Sequence, residues 1–307
     1  FIWNADVSVS SEYDYFSLGF GGGITKLFNN KNSEISLKGN AYLDTWQPIY
    51  PIEFRDNLPT VYDQTGAVSN LYNPNFISWT SKARNSFSAS VSFSQVINKK
   101  SHFSVFFDVL QQQGQLSSPY HRMYFADKDN FYVGDPQFIP NYQSETNKGA
   151  YQLADAIEKL PDTRFKLPFG LRYNYYLNET VSFRTYYRFY TDNWDVQSHT
   201  ASIEIPFKIS GKFTLFPMYR YYTQTKSKYF APYETHLSTE KFFTSDFDLS
   251  DFDAHQYGLG FTYTDIFTSS KIWKFGLKNI DFRFNHYDRS DGLNANIATV
   301  GFKFVMQ

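Results

Sequence analysis

Four aspartates in one short stretch have the type and spacing of metal ligands. Asp246, Asp248, Asp251 and Asp253 lie in the segment SDFDLSDFD, which begins at Ser245. Closely spaced carboxylate oxygens are the ligands that Ca²⁺ prefers. The stretch lacks the glycine and the terminal glutamate of an EF-hand loop, so a solvated acidic loop is the alternative. The sequence predicts at most a weak calcium site here, and we expect no other cofactor.

Two histidines lie close to aspartates, as in some hydrolytic sites. His255 follows Asp253, and His199 follows Asp195. A histidine that a carboxylate orients can act as a general base. The sequence contains no Gly-x-Ser-x-Gly elbow, and its pattern does not clearly pair an outward serine with an outward histidine on adjacent strands. We expect a protein that is not an enzyme, with a rim hydrolase at His255 or His199 as the lesser alternative.

Charged residues on the polar faces of alternating segments divide into an acidic and a basic group. The early group is Asp6, Glu34, Asp44 and Asp108, with Lys38 as the exception, and the later group is Lys166, Arg172, Arg184, Arg188, Lys208 and Arg220, with Glu204 opposing. These charges predict a network inside a narrow lumen. Either they pair and block it, or they leave a polar pore whose field steers small solutes.

The elements that position these charges are long segments with a period of two residues. From Val181 to Tyr190, apolar and polar side chains alternate, with Phe183 and Phe189 on one face and Arg184 and Arg188 on the other. Such alternation is typical of a β-strand between two different environments. Twelve segments share it: 1–10, 16–28, 33–46, 84–97, 102–114, 165–177, 179–193, 199–208, 212–225, 254–266, 272–288 and 293–307. Their lengths suit strands that cross a bilayer.

The connections between these segments alternate between short and long. Three long loops, 47–83, 115–164 and 226–253, lie at one end, while the turns at the other end are short and polar. Almost no charged residue falls on an apolar face except near strand ends, and a lysine or arginine at the lipid midplane costs about 2–4 kcal/mol. The sequence therefore predicts an all-β antiparallel transmembrane β-barrel of twelve strands, with short periplasmic turns and long extracellular loops.

Composition limits which other classes of protein the chain could belong to. The chain has 307 residues, a net charge of −1 and no cysteine, which argues against nucleic acid as a partner and excludes disulfides. It has no apolar run long enough for a transmembrane helix. We expect one barrel domain over 1–307. Because the chain starts at Phe1 rather than methionine, we also expect a processed or truncated product, in which N-terminal strands can be missing.

Three local patterns give further expectations. Alternation changes phase between Ile272 and Asp288, which predicts a β-bulge near Lys278–Asn279. Apolar residues at helical spacing from Tyr151 to Leu160 predict a short helix over the barrel mouth. Tryptophans near the external strand ends, Trp46, Trp79 and Trp194, are expected to belong to an aromatic belt at the membrane interface.

Several segments resemble a known family. They are Tyr13-Asp-Tyr15, Tyr42-Leu-Asp-Thr-Trp46, Pro51-Ile-Glu-Phe-Arg55, Glu158-Lys-Leu-Pro-Asp-Thr-Arg-Phe-Lys-Leu-Pro168, Tyr187-Arg-Phe-Tyr-Thr-Asp192, Tyr229-Phe-Ala-Pro-Tyr233 and Thr244-Ser-Asp-Phe-Asp-Leu-Ser250. Together they resemble an uncharacterised outer-membrane family of Gram-negative bacteria, notably Bacteroidota, defined by a domain of unknown function. The resemblance implies a barrel in the outer membrane and supplies no catalytic residues. Family members look longer at the N-terminus, so it also implies a parent barrel of fourteen or sixteen strands.

The long loops suggest a function. They carry many aromatic residues that look exposed: Phe54, Tyr62, Tyr72, Phe76, Tyr120, Tyr124, Phe131, Tyr132, Phe138, Tyr142, Phe242 and Phe243. Exposed aromatics are typical of docking surfaces. We expect an accessory subunit of an envelope assembly that docks other envelope proteins or surface lipoproteins. A small-solute pore is the alternative. The barrel wall itself is expected to contact the lipid bilayer and lipopolysaccharide.

Overall fold

The computed structural model describes residues 1–55, 58–143 and 149–306. Residues 56–57 and 144–148 of the predicted long loops, and residue 307 of the predicted last strand, lie outside the described part. Its strands, in chain order, are β1 (Ile2–Ser11), β2 (Tyr15–Phe28), β3 (Ser33–Trp46), β4 (Tyr62–Asp63), β5 (Lys82–Asn98), β6 (Ser101–Gly114), β7 (Arg122–Met123), β8 (Phe131–Gly134), β9 (Ala150–Gln152), β10 (Ala156–Ile157), β11 (Thr163–Tyr176), β12 (Ser182–Asp192), β13 (Gln197–Glu204), β14 (Phe207–Lys208), β15 (Phe213–Gln224), β16 (Phe252–Thr264), β17 (Lys271–Ile272), β18 (Phe275–Arg289) and β19 (Asn294–Met306).

One antiparallel sheet of fourteen strands forms the body of the protein. Each of its long strands pairs with the long strands next to it in sequence, from β1 to β19. The described residues form nineteen strands, so the predicted count of twelve is not confirmed, although every predicted segment overlaps a long strand. In the described part, β1 pairs only with β2 and β19 only with β18, and the sheet is not closed.

The sheet exposes apolar side chains on its outer face and buries polar side chains on its inner face, which is the reverse of a soluble protein. Apolar side chains are exposed on the outer face, such as Leu37 at 52% and Phe302 at 63%. Polar side chains such as Ser36 and Thr200 are buried on the inner face. This is the surface of a strand that contacts lipid on one side and a polar interior on the other. The protein is therefore an outer-membrane protein, as predicted.

Small residues on the inner face leave room for large rings. Gly170 of β11 pairs with Phe106 of β6, and the Phe106 ring lies where a Cβ of residue 170 would be. Gly260 of β16 has the same relationship to Phe216 of β15. A glycine in a strand permits such a close approach because it has no side chain. The inner aromatics therefore lie against the wall of the sheet.

The predicted β-bulge in β18 is confirmed. Leu277 pairs with Phe304 and Asn279 pairs with Lys303, so that Lys278 has no partner on β19. The extra residue returns Ile280 and Phe282 to the outer face, which is the phase change that the sequence shows.

The long loops pack into a cover over one end of the sheet, which we call the loop dome (the described parts of 47–81, 115–162 and 225–251). Buried apolar residues gather in four clusters within the dome or directly beneath it, not between sheets: Leu116, Leu160, Trp194, Phe230 and Leu249; Met123, Phe125, Ala156 and Phe243; Phe54, Tyr124 and Ala154; Tyr132, Ile139 and Ala150. The described part of the chain contains no helix that is long and apolar enough to span a membrane.

Two local predictions about the loops are wrong. The segment from Tyr151 to Leu160 is extended, because Ala156 pairs with Met123 of β7 instead of starting a helical turn. An extended segment that other loops cover on both sides is apolar all round, and its spacing then imitates a helix. Trp46 and Trp194 are 7% and 3% exposed beneath the dome, so they do not belong to a membrane belt.

Candidate functional site

A covered cavity of about 550 Å³ lies between the inner face of the sheet and the loop dome. We call it the vestibule. Its wall comes from the strands and includes Arg84, Lys166, Arg188 and Arg220, while its roof comes from the dome and includes Leu116, His121, Glu158, Leu160, Asp246 and Leu249. A volume of this size suits a small-molecule site.

Neighbouring strands bring the basic side chains of the wall to the same face of the sheet. Arg188 on β12 pairs with Gly170 on one side and with Thr200 of β13 on the other. Arg220 on β15 pairs with Ser202 of β13. These small neighbours leave space around the long cations, so the two guanidinium groups reach the vestibule.

A fifth basic residue, Arg164, is neutralised within the wall. Its Nε donates to Asp192 Oδ2 at a distance of 2.7 Å, and its guanidinium lies 4.4 Å from the centroid of the Trp194 ring. Asp192 also accepts the hydroxyl of Tyr190 at 2.6 Å and two backbone N–H groups of the following turn. Asp192 therefore has no free capacity for another cation of the vestibule.

The remaining wall cations differ from Arg164 in their partners. Within the described part of the chain, no carboxylate lies within 4.0 Å of Arg84, Lys166, Arg188 or Arg220. Arg188 lies 5.8 Å from the centroid of the Tyr190 ring and Arg84 lies 5.1 Å from that of Trp46. Aromatic faces stabilise a cation without cancelling its charge. The wall therefore presents a positive surface to the cavity.

The predicted charge network is only partly assembled. Arg184 donates to Glu204 at 2.8 Å, and Arg283 of β18, which sequence reasoning missed, donates to the other oxygen at 3.2 Å. The Arg172 guanidinium lies 6.0 Å from the centroid of the Phe106 ring and 5.4 Å from that of the Tyr186 ring, and no described ion pair joins it to an acid. The signal for Arg283 was present in the alternation of β18, but the phase change at the bulge obscured it.

The acidic residues of the early strands do not reach the basic residues of the later strands. Asp44 accepts a hydrogen bond from the hydroxyl of Tyr15 at 2.5 Å, and Glu34 accepts one from the hydroxyl of Ser36 at 3.1 Å. No described ion pair joins Asp6, Glu34, Asp44 or Asp108 to the basic group, and Lys38 and Lys208 have none either. The structure thus keeps the two charged walls separate, which favours the polar-pore interpretation over a lumen that charge pairs block.

Three ionisable residues meet at the roof of the vestibule. His121, Glu158 and Asp246 offer ligand atoms that all lie within 4.8 Å of one another. Nδ1 of His121 is 3.5 Å from Glu158 Oε1 and 3.8 Å from Asp246 Oδ2. Burial raises the pKa of Asp246 above its ordinary value. Sequence reasoning missed His121 and Glu158 because nothing in the sequence connects three separate loop segments.

The four aspartates of the predicted calcium site do not come together. Asp246 joins His121 and Glu158 at the roof, whereas Asp248 accepts from Arg289 Nη1 at 2.7 Å. Asp253 accepts the Tyr221 hydroxyl at 2.8 Å on β16, and Asp251 is exposed. The structure distributes these carboxylates among other partners, so it does not assemble the calcium site of the sequence.

The rim histidines bind tyrosines on the outer face. His199 Nδ1 is 2.7 Å from the Tyr187 hydroxyl, and His255 Nδ1 is 2.8 Å from the Tyr219 hydroxyl. Elsewhere, Ser94 Oγ is 2.7 Å from His102 Nε2, and Asn174 Nδ2 is 3.4 Å from His102 Nδ1.

Comparison with known proteins identifies the family. A family model described as "Protein of unknown function (DUF3570)" matches residues 2–301. The chain belongs to this family. The predicted resemblance to a family defined by a domain of unknown function is thus confirmed. No curated protein matches the chain significantly.

Solved structures similar to this member of the DUF3570 family share little sequence with it. A KdgM porin in complex with disordered oligogalacturonate is 9% identical, with a TM-score of 0.34, over 95% of this chain and 96% of the porin. The TodX monoaromatic hydrocarbon channel is 7% identical, with a TM-score of 0.44, over 99% and 79%. The outer membrane channel DcaP of Acinetobacter baumannii is 8% identical, with a TM-score of 0.38, over 95% and 84%.

Proposed function

We propose that the sheet closes into a barrel in the bacterial outer membrane and forms a channel whose vestibule takes anionic solutes. The observation that supports this function is the set of wall cations that have no carboxylate partner among the described residues: Arg84, Lys166, Arg188 and Arg220. Rings of lysine and arginine are how channels select anions. The apolar outer face contacts lipid and lipopolysaccharide in this proposal.

The vestibule would concentrate anions because it is both positive and covered. Charges in a cleft with low-dielectric walls act over longer distances than charges on an open surface. Ser198, Thr200 and Gln224 of the same cavity supply hydroxyl and amide groups that can replace the water around a solute.

The test is the ion selectivity of the purified protein in planar bilayers. Lys166→Gln, Arg188→Gln and Arg220→Gln in one variant remove the positive wall. We expect the wild type to conduct and to show an anion-selective reversal potential in a salt gradient, and we expect the triple variant to lose that selectivity. The matched control is Lys38→Gln with Lys208→Gln, which removes lysines of the inner face that do not line the vestibule.

The selectivity measurement can also reject the proposal. A wild type with no conductance, or with cation selectivity, contradicts an anion channel. An unchanged reversal potential in the triple variant shows that the vestibule cations do not control permeation.

Docking of an envelope protein or surface lipoprotein is a second candidate, but on different residues from those predicted. Phe54, Tyr124, Tyr132 and Phe243 are buried in the dome, since the loops pack on one another. Three apolar side chains of the first loop remain exposed instead: Val68 at 67%, Leu71 at 78% and Ile77 at 86%. An exposed apolar group of this kind is typical of an interaction surface.

A native pull-down with mass spectrometry tests the docking proposal. We expect a partner to co-purify with the wild type and to be lost from a variant with Val68→Ser, Leu71→Ser and Ile77→Ser. Purification of the wild type without any partner would count against docking.

A further inference from the structure

We propose that His121, Glu158 and Asp246 bind one divalent transition-metal ion, with Zn²⁺ as the best fit, at the roof of the vestibule. One imidazole nitrogen and two carboxylate oxygens are a ligand set that zinc sites use. The proposal does not require that the vestibule conducts.

The distances suit a shared ion better than direct contacts. Tetrahedral zinc with ligands at about 2.0–2.1 Å holds its ligand atoms roughly 3.4 Å apart. His121 Nδ1 lies 3.5 Å from Glu158 Oε1 and 3.8 Å from Asp246 Oδ2. Hydrogen bonds between nitrogen and oxygen are about 2.7–3.2 Å long, so both separations exceed that range. An ion between the three atoms would replace two contacts that are too long for hydrogen bonds with metal–ligand bonds.

His121 Nδ1 also lacks any other partner. It is one of the buried side-chain atoms that have no hydrogen-bond partner within the described residues. A buried nitrogen without a partner has a free-energy cost, and a metal ion would remove that cost. The unpaired atom points to the same place as the two carboxylates, which is an observation independent of their negative charge.

Glu158 is held in the orientation that a ligand needs. It is 4% exposed, its Oε2 accepts the backbone N–H of Ser118 at 2.6 Å, and its Oε1 accepts the hydroxyl of Thr244 at 2.5 Å. Neutral donors of this kind fix a ligating carboxylate without cancelling its charge. No described lysine or arginine lies within 4.0 Å of Glu158 or Asp246. The negative charge of the site is therefore available to a cation.

Three protein ligands leave one coordination position of a tetrahedral ion open. All three residues line the vestibule, so this position faces the cavity. A bound ion would neutralise the acidic part of the roof. This deepens the proposed function, because a roof whose two carboxylate charges are cancelled would no longer oppose the positive charge of the wall.

The proposal is tested by treating the full chain with a chelator in detergent and then measuring metal binding. We expect titration calorimetry with Zn²⁺ to give one ion per chain, and Co²⁺ to give the visible absorption of a tetrahedral site. His121→Ala should weaken binding by at least about 100-fold. Thr244→Ala, which removes an orienting hydrogen bond, should weaken it by about 10–100-fold.

The controls separate loss of the site from loss of the fold. The His121 side chain is 42% exposed, so its removal should leave the protein folded, which gel mobility with and without heating can verify. His255→Ala removes another half-buried histidine near an aspartate and should leave Zn²⁺ affinity unchanged. Absence of stoichiometric binding by the wild type, or equal affinity in the folded His121→Ala variant, overturns the proposal. Neither outcome depends on conductance.

Discussion

Asp192 holds Arg164 with one carboxylate oxygen and the following turn with the other. Oδ2 accepts from Arg164, while Oδ1 accepts the backbone N–H groups of Trp194 and Val196 at 2.9 and 3.1 Å. The Asp192 side chain is fully buried and that of Arg164 is 15% exposed. One residue thus connects the wall of the vestibule to the turn between β12 and β13.

Removing the charge of Asp192 should destabilise the protein strongly. In Asp192→Asn the Arg164 guanidinium stays buried without a counter-charge, and breaking such a pair costs about 3–5 kcal/mol. Urea unfolding in detergent micelles or liposomes measures this change in the free energy of unfolding. Asp195→Asn is the control, because Asp195 is 66% exposed and lies 3.5 Å from Lys228. An exposed pair of this kind contributes at most about 1 kcal/mol. Equal stabilities of the two variants would contradict this role.

Gly170 should tolerate no side chain. In Gly170→Ala the new Cβ overlaps the ring of Phe106, which must leave its position on the wall. Overpacking of this kind costs about 1–3 kcal/mol, measured as the free energy of unfolding. Gly301→Ala is the matched control, because its Cβ would come no closer than 3.8 Å to Asp281. A Gly170→Ala protein as stable as the Gly301→Ala protein would show that Phe106 does not need this space.

The strands were predictable from sequence because the period of two can be recognised in each strand alone. The phase of Arg184 and Arg188 placed both on the inner face without knowledge of their neighbours, and the phase change in β18 located the bulge. The apolar exterior follows from the same alternation.

The loops and the roof of the vestibule were not predictable in the same way. His121, Glu158 and Asp246 come from separate segments with no common period, and only the packing of the dome brings them together. Aromatics such as Tyr124 and Phe243 looked exposed because each loop was considered by itself. Contacts between distant irregular segments leave no pattern in a single sequence.

The bulge in β18 gives a deletion that should be tolerated. Phe304 and Lys303, the partners of Leu277 and Asn279, are already consecutive residues of β19. Deletion of Lys278 makes Leu277 and Asn279 consecutive as well, so both strands then alternate regularly and the pairing register does not change. We expect this variant to assemble with the heat-dependent gel mobility of the wild type. Deletion of Asn285 is the control, since it lies in regular pairing with Ile297. That deletion should turn the following residues to the wrong face and prevent assembly. If the variant that lacks Lys278 does not assemble, the assigned bulge is contradicted.

Asp155 should make the loop dome less stable as pH rises. Burial raises the pKa of this carboxyl to about 6, while its Oδ2 accepts the backbone N–H of Phe125 at 2.8 Å. Because the folded dome holds the proton more tightly than the unfolded loops, its stability should fall between about pH 4 and pH 6 and stay low above that range. Hydrogen exchange of the dome amides at about pH 4 and pH 7, corrected for intrinsic exchange rates, measures this change.

Two variants give opposite expectations for the same measurement. Asp155→Asn keeps an oxygen that can accept from Phe125 but cannot ionise, so its dome protection should fall less with rising pH than that of the wild type and exceed it at about pH 7. Asp127 is the contrasting case, because hydrogen bonds from Ser238 lower its pKa, so its contribution is present at neutral pH and is lost as pH falls. Asp127→Asn should therefore weaken protection at neutral pH. If the Asp155→Asn protein shows the same pH dependence as the wild type, Asp155 is not the group that responds.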